Sequence, residues 1–355
     1  MPMRTISHLV NPQFTALVLC VLWFALVRVY YQFKPIIPRR AQLAFRRRLA
    51  NRQRRVYSQL WPIFEPAARA PAGWTGWLHG LTFALVLTHD VESPKGVEQV
   101  RQLAELEMSL GFRSSFNFIP EGAYRVPEDL RRWLTENGFE VGVHDHRHDG
   151  KLYRSWRRFR ASADRINHFL REWNAVGFRS GFMMRNLTWM HELDIAYDSS
   201  TFDTDPFEPQ PEGAGTIFPF WVSRKQSGKG FVEMPYTLAQ DSTLFLVLQE
   251  ESNGIWKKKL KWIAAHGGMA MVNVHPDYIA FGDKSCRWDE YSASRYGEFL
   301  QWVKQEFAGR YWHALPRDIA AYYRQAIQAN STAGPGETSP GRGTGRGTGS
   351  KESQA

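Results

Sequence analysis

From Leu81 onward the apolar positions switch repeatedly between two periods. Phe83–Leu87 (FALVL) is an unbroken apolar run, as a parallel strand buried on both faces requires. Val97–Leu110 then carries apolar residues at helical spacing and stops at Gly111. Arg113–Ile119 predicts a second strand, Leu130–Glu136 a short helix with Gly138 as its stop, and Glu140–Val143 a third strand. Trp156–Trp173 predicts a helix ending near Gly177, and further strands are expected at Phe178–Phe182, Ile195–Ser199, Phe231–Tyr236, Ala270–His275 and Tyr311–Leu315. Gly111-Phe112, Gly138-Phe139 and Gly177-Phe178 repeat one device: a glycine ends a helix in the left-handed conformation and the next residue opens a strand. Strands alternating with helices imply a parallel sheet. Seven or eight such units over about 245 residues fit an α/β fold of (β/α) barrel type, with a doubly wound open sheet as the alternative.

The two ends of the chain read differently. Phe14–Val27 contains no charged residue and is apolar apart from Thr15. A membrane span takes about 20 residues, and counting on to Phe33 with a snorkelling Arg28 brings the run into range. Most basic residues follow the run and no small-residue cleavage site is present, so residues 1–33 are expected to be an uncleaved anchor, or else an interfacial helix. Lys34–Arg55 holds nine Lys/Arg and no Asp or Glu, which predicts a basic juxtamembrane stretch facing anionic lipids, within a linker spanning 34–80. That stretch accounts for most of the net charge of +10, so the main domain, 81–325, carries no charge signature of nucleic-acid binding. The flank before the apolar run has only Arg4 and His8, and this imbalance predicts a domain facing the cytoplasm. From Ser331 the chain is Gly/Ser/Thr/Pro-rich and is expected to be a disordered tail over 331–355. The two cysteines, Cys20 and Cys286, make no disulfide framework and no CxxC metal site.

Candidate chemistry centres on Glu140–Gly150 (EVGVHDHRHDG), where His144, His146 and His148 fall within five positions. Two imidazoles share an ion only if their nitrogens come within roughly 4 Å, because each Zn–N bond is about 2.0–2.1 Å. In an extended strand His144 and His148 would stand about 13 Å apart, so the strand is expected to end at His144 and the backbone to turn. In a parallel α/β barrel the active site forms at the carboxyl ends of the strands. Ionisable residues collect at those ends here: Thr88-His89-Asp90-Val91-Glu92, the histidine cluster, Arg179, Asp198, and Asn273-Val274-His275-Pro276-Asp277.

With these residues in place, the chain from Leu81 to Arg324 resembles the polysaccharide deacetylases with the NodB-homology domain, carbohydrate esterase family 4. LTHDVE at Leu87–Glu92 resembles that family's TFDD motif, and HDHRH at His144–His148 its H-S/T-x-x-H metal motif. FRSGF at Phe178–Phe182 is similar to its R-x-P motif, AYDSSTFDTD at Ala196–Asp205 takes the place of its Asp-containing fourth motif, and VNVHP at Val272–Pro276 resembles its L-x-H motif. Two departures stand out: Val91 replaces the second of two adjacent Asp, and Gly181 stands where Pro is common.

The resemblance implies a distorted seven-stranded barrel that hydrolyses an N- or O-acetyl group on a sugar of a polysaccharide or a lipid-linked glycan. It implies a divalent ion, zinc by preference, held by Asp90, His144 and His148. Asp90 or Glu92 would serve as base, with His89 as a further substitute for the missing Asp. Arg179 would orient the base, His275 would be the acid, and one of Asp198, Asp203 and Asp205 would tune His275. Two other readings accompany it: a catalytically weak, membrane-tethered glycan-binding module, and a metal hydrolase of a formyl or ureido group.

Overall fold

The computed structural model describes residues 37–224, 229–282 and 285–332. The anchor expected over 1–33 and the tail after 332 lie outside the described residues. Among the described residues no helix is long and apolar enough to cross a membrane.

The sheet is built around β1 (Phe83–Val91), whose nine residues are all buried. Burying each such Phe, Leu or Val contributes about 1.5–3 kcal/mol. One edge of β1 pairs with β8 (Met269–Asn273) over Ala84–Thr88. Its other edge is divided: Phe83–Leu85 pairs with β11 (Tyr311–His313), and Thr88–Val91 with β2 (Ser115–Phe118). The sheet continues in parallel through β3 (Glu140–His144), β4 (Gly177–Arg179), β5 (Tyr197–Asp198) and β7 (Gly230–Glu233). It ends on β6 (Phe220–Ser223), which is antiparallel to β7. Two backbone hydrogen bonds, from Thr237 and Leu238 to the Met271 carbonyl at 3.1 and 3.0 Å, join the chain after β7 back to β8. The sheet is therefore a curled, distorted half-barrel of nine strands, where seven or eight were expected. β6 is the strand that periodicity missed, being short and only partly buried. A separate pair, β9 (Ile279–Ala280) and β10 (Tyr291–Ser292), lies in the connections after β8.

The helices start and stop as the local sequence dictates. Ser93 caps Pro94–Leu110 by accepting from the Gly96 amide at 3.3 Å, and Gly111 (φ 84°) ends it in the left-handed region. Ser155 caps Trp156–Glu172 in the same way. The segment expected as a basic linker behaves otherwise. Arg39–Val56 is a helix docked on the domain, Trp61 is buried, and the Trp77 indole donates to the Gly267 carbonyl at 2.8 Å.

Glu140, at the start of β3, shows how strongly the interior is desolvated. Burial pushes its pKa up to about 7 although the Arg317 amide and the Tyr197 hydroxyl both donate to it. A carboxyl raised in the folded state contributes its full stability below its unfolded value and loses it as pH climbs from about 4.5 toward 7. The loss amounts to at most about 3 kcal/mol. Glu140→Gln is thus expected to raise the melting temperature at pH 8 and to leave it nearly unchanged at pH 4. Thermal scans at both pH values test this, and an equal shift at both would refute the assigned cause.

Candidate metal centre and active site

Strand alternation sorts the polar residues at the end of β1. Thr88, Asp90 and Glu92 project to one side, and His89 projects to the other. His89 is walled off there, with Nε2 at 2.9 Å from Glu107 Oε1 and Nδ1 at 2.8 Å from the Val274 carbonyl. It therefore has no place in the site.

At the end of β3 the chain turns as the spacing requires. Asp145 (φ 58°) and His148 (φ 53°) both occupy the left-handed region, which folds His148 back over His144 to a ring-centroid distance of 5.0 Å. His146 points away, toward Glu121 Oε2 (2.8 Å) and Ser162 Oγ (3.1 Å). The ligand atoms of Glu92, His144 and His148 lie within 4.8 Å of one another. His148 Nε2 is 3.2 Å from Glu92 Oε1. His144 Nδ1 donates to the Arg179 carbonyl at 3.1 Å, which leaves the lone pair on Nε2. That Nε2 is buried without a hydrogen-bond partner, and burial lowers the ring's pKa, so the imidazole is neutral. A buried, unpaired imidazole nitrogen beside a carboxylate and a second imidazole is the donor set a divalent ion takes, with the other ring nitrogen fixed by a carbonyl.

The third member of this set is Glu92, where Asp90 was expected. Asp90 is held otherwise. Its Oδ1 accepts from Asn117 Nδ2 (3.0 Å) and faces Arg179 Nη1 (3.3 Å), while Oδ2 accepts from Asn273 Nδ2 (2.8 Å). These three donors fix the carboxylate beside the cluster without making it one of the converging ligands, and His144 Nδ1 is 3.9 Å off. Burial works to raise the Asp90 pKa, but Arg179, then His144 and His275, outweigh it and hold the carboxyl well below the ordinary range. Glu92 gains its position from its own contacts. Its amide donates to Asp277 Oδ2 at 3.0 Å, and Tyr278 donates to its Oε2 at 2.8 Å.

His275, after β8, is buried with Nε2 at 3.9 Å from Glu92 Oε1. Its Nδ1 donates to Asp241 Oδ1 at 2.6 Å, and its amide donates to Asp241 Oδ2 at 2.9 Å. Burial opposes the imidazolium, but Asp241 prevails and pushes the pKa up to about 10. Asp241, rather than any of the three carboxylates expected here, is the one hydrogen-bonded to His275 among the described residues. Asp198 binds Ser200 Oγ at 2.7 Å, Asp203 forms a buried ion pair with Lys259 at 2.6 Å, and Asp205 accepts from Tyr236 at 2.7 Å. The sequence offered no sign of Asp241: it opens an apolar segment and caps Ser242, as an ordinary turn aspartate would. Asn117 did leave a signal, as one of two polar residues in the buried SFNF strand and the one in register with Asp90.

Gly181 has a steric reason to be glycine. A Cβ there would lie 2.4 Å from Asp145 Oδ2 and 2.7 Å from His148 Cδ2. Gly181→Ala should displace His148 and weaken any divalent-ion binding at this site by roughly 10–100-fold. Zinc titration of the two proteins checks this, and equal affinities would mean that His148 is not held in a ligating position by this contact.

No family model matches the chain, and no curated protein does either. Solved structures do. A Mycobacterium smegmatis protein described as a polysaccharide deacetylase aligns at TM-score 0.57 and 19% identity, over 73% of this chain and 96% of that one. The peptidoglycan deacetylase PdaC of Bacillus subtilis aligns at 0.40 and 12%, over 70% and 96%. A family 4 carbohydrate esterase from Streptomyces lividans, in complex with acetate, aligns at 0.37 and 11%, over 66% and 93%. The first score marks a shared fold, and the other two are too low to add to it. The likeness holds at the level of the fold, which this chain shares with that structure.

Proposed function

We propose that this protein is a metal-dependent deacetylase of an acetylated glycan. The observation that carries this reading is the buried, unpaired Nε2 of His144 beside Glu92 and His148, with Asp90 on one side and the His275–Asp241 pair on the other. The fold fits, as do the donor types. A divalent ion, for which zinc is the first choice, would be held by Glu92, His144 and His148; when bound it supplies a Lewis acid for the acetyl carbonyl and lowers the pKa of a nearby water.

The chain's own residues do the rest. Asp90 takes a proton from the attacking water as its oxygen bonds to the carbonyl carbon. Arg179, Asn117 and Asn273 keep that carboxylate ionised and fixed before the transfer. His275 carries the second proton, on Nε2, and gives it to the sugar nitrogen as the C–N bond breaks, because an amide nitrogen leaves only when protonated. Asp241 holds the ring and stabilises its cationic form before that transfer. Acetate and the free amine result; with an O-acetyl group the sugar hydroxyl leaves instead.

A lipid-linked saccharide at the inner leaflet is the substrate class we favour, with the domain on the cytoplasmic side and residues 34–55 near anionic lipids. Paired reporters fused to the chain's carboxyl terminus, one active only in the cytoplasm and one only after export, test the orientation. The activity itself is tested by acetate release from acetylated glycans by the purified full chain, with and without zinc. Glycan binding without acetate release at any zinc level would make the protein a binding module instead.

A further inference from the structure

The helix Arg39–Val56 has two faces. The inner one is committed to the domain: Leu43 and Ala50 pack on the core, Arg47 Nε donates to the Leu246 carbonyl (2.9 Å), Gln53 donates to the Pro206 carbonyl (2.7 Å), and Arg54 pairs with Glu250. The outer one carries Phe45, Arg48, Arg52 and Val56 at i, i+3, i+7 and i+11, a single stripe of the helix, with Arg55 beside it. Phe45 is 60% exposed and Val56 66%, and just beyond the helix Tyr57 and Leu60 are also exposed. Among the described residues, Trp156 and Val176 are the other large apolar side chains exposed to this degree. Arg48, Arg52 and Arg55 have no acidic partner among the described residues, and no Asp or Glu occurs between Lys34 and Phe64.

The helix also has a particular place. Its partners Pro206, Leu246 and Glu250 lie in connections that follow β5 and β7, on the carboxyl-end side where the site opens. Arg39 lies 5.4 Å over the Tyr278 ring and 3.8 Å from Asp289, in the connections after β8. Tyr278 in turn donates to Glu92. The helix therefore runs along the rim of the site's mouth.

We infer that the outer face of this helix docks on an anionic bilayer surface and so sets the mouth of the site against it. Arginines without acidic partners, interleaved with exposed Phe and aliphatic side chains, match the chemistry of an anionic lipid headgroup layer: charge meets charge while the apolar side chains enter the acyl boundary. The apolar run Phe14–Val27, a short distance earlier in the chain, would bring the helix to the same surface. The inference rests on the deacetylase reading for its choice of substrate, a glycan carried on a lipid, but not for the docking itself.

The test uses the full chain with Cys20→Ser and Cys286→Ser, labelled with an environment-sensitive fluorophore at Phe45→Cys, Val56→Cys or Val176→Cys. The last position is an exposed site at the amino end of β4. On phosphatidylcholine vesicles containing phosphatidylglycerol, the labels at 45 and 56 should shift to the blue and the label at 176 should not. Arg48→Gln/Arg52→Gln/Arg55→Gln should lower the part of vesicle partition that depends on lipid charge by about a hundredfold, at roughly fivefold per arginine. That variant should also cleave a vesicle-borne acetylated saccharide more slowly while cleaving a soluble one at the wild-type rate. Labels at 45 and 56 that ignore anionic vesicles, or that respond no more than the label at 176, would overturn the inference. So would a shift that grows with protein concentration without vesicles, which would make a second copy the occupant. If the wild type cleaves neither substrate, the deacetylase reading fails, while the labels still decide the docking.

Discussion

Replacing His275 by alanine is expected to lower hydrolysis of an acetamido sugar by roughly 10²–10⁴-fold while leaving the bound ion in place. The imidazole is buried, is fixed through Nδ1 by Asp241 and has its pKa raised, so it holds a proton on Nε2 at neutral pH. That nitrogen stands at the edge of the cluster, 3.9 Å from Glu92, where a leaving group would depart. An aryl acetate should suffer far less, because a phenolate leaves without a proton. Asp241→Asn should act in the same direction but more weakly, since the ring would remain while its cationic form lost support. Kinetics on the two substrates, with zinc content measured for each variant, separate the roles. Loss of zinc from the His275→Ala protein would make His275 a ligand instead of an acid.

What the sequence could reveal here depended on range. Period-2 and period-3.6 patterns are local, and they located β1, β3, β8 and the helices following β1 and β3 to within a few residues. The turn after His144 was legible because geometry left no other way to bring two histidines four apart onto one ion. Asp90 and Glu92 on one face followed from strand alternation alone. The division of labour between them did not. It depends on Asn117, Asn273 and Arg179, which arrive from β2, β8 and β4, and their convergence on Asp90 is a property of the curled sheet. Asp241 was illegible for the same reason, as its meaning comes from the neighbouring β8 connection. The fourth-motif aspartates misled because burial found them other partners: Ser200 for Asp198, Lys259 for Asp203 and Tyr236 for Asp205. The basic stretch was read correctly as charge, while its docked inner face could be seen only in three dimensions.

Asp90→Asn and Glu92→Gln should fail in different ways, and that difference is the sharpest check on the site. Asparagine at 90 keeps the size of the side chain but removes the proton acceptor. Its amide would also face three donors with only one oxygen to offer, from Asn117, Arg179 and Asn273. Zinc content should stay near that of the wild type, because Asp90 is not among the atoms that converge on the cluster. Turnover should fall by roughly 10²–10⁴-fold, with little change in KM. Glutamine at 92 removes the one carboxylate of the converging set and leaves only two imidazoles, a poorer site for a doubly charged ion. Zinc affinity should drop sharply, and activity should return in part when zinc is added in excess, whereas excess zinc should do nothing for Asp90→Asn. The contrast has a structural origin. With Val91 in place of a second adjacent aspartate, the two carboxylates stand two residues apart on one strand face, and each has its own set of fixed partners. Zinc loss from Asp90→Asn, or full zinc retention by Glu92→Gln, would show that the two carboxylates have the opposite roles.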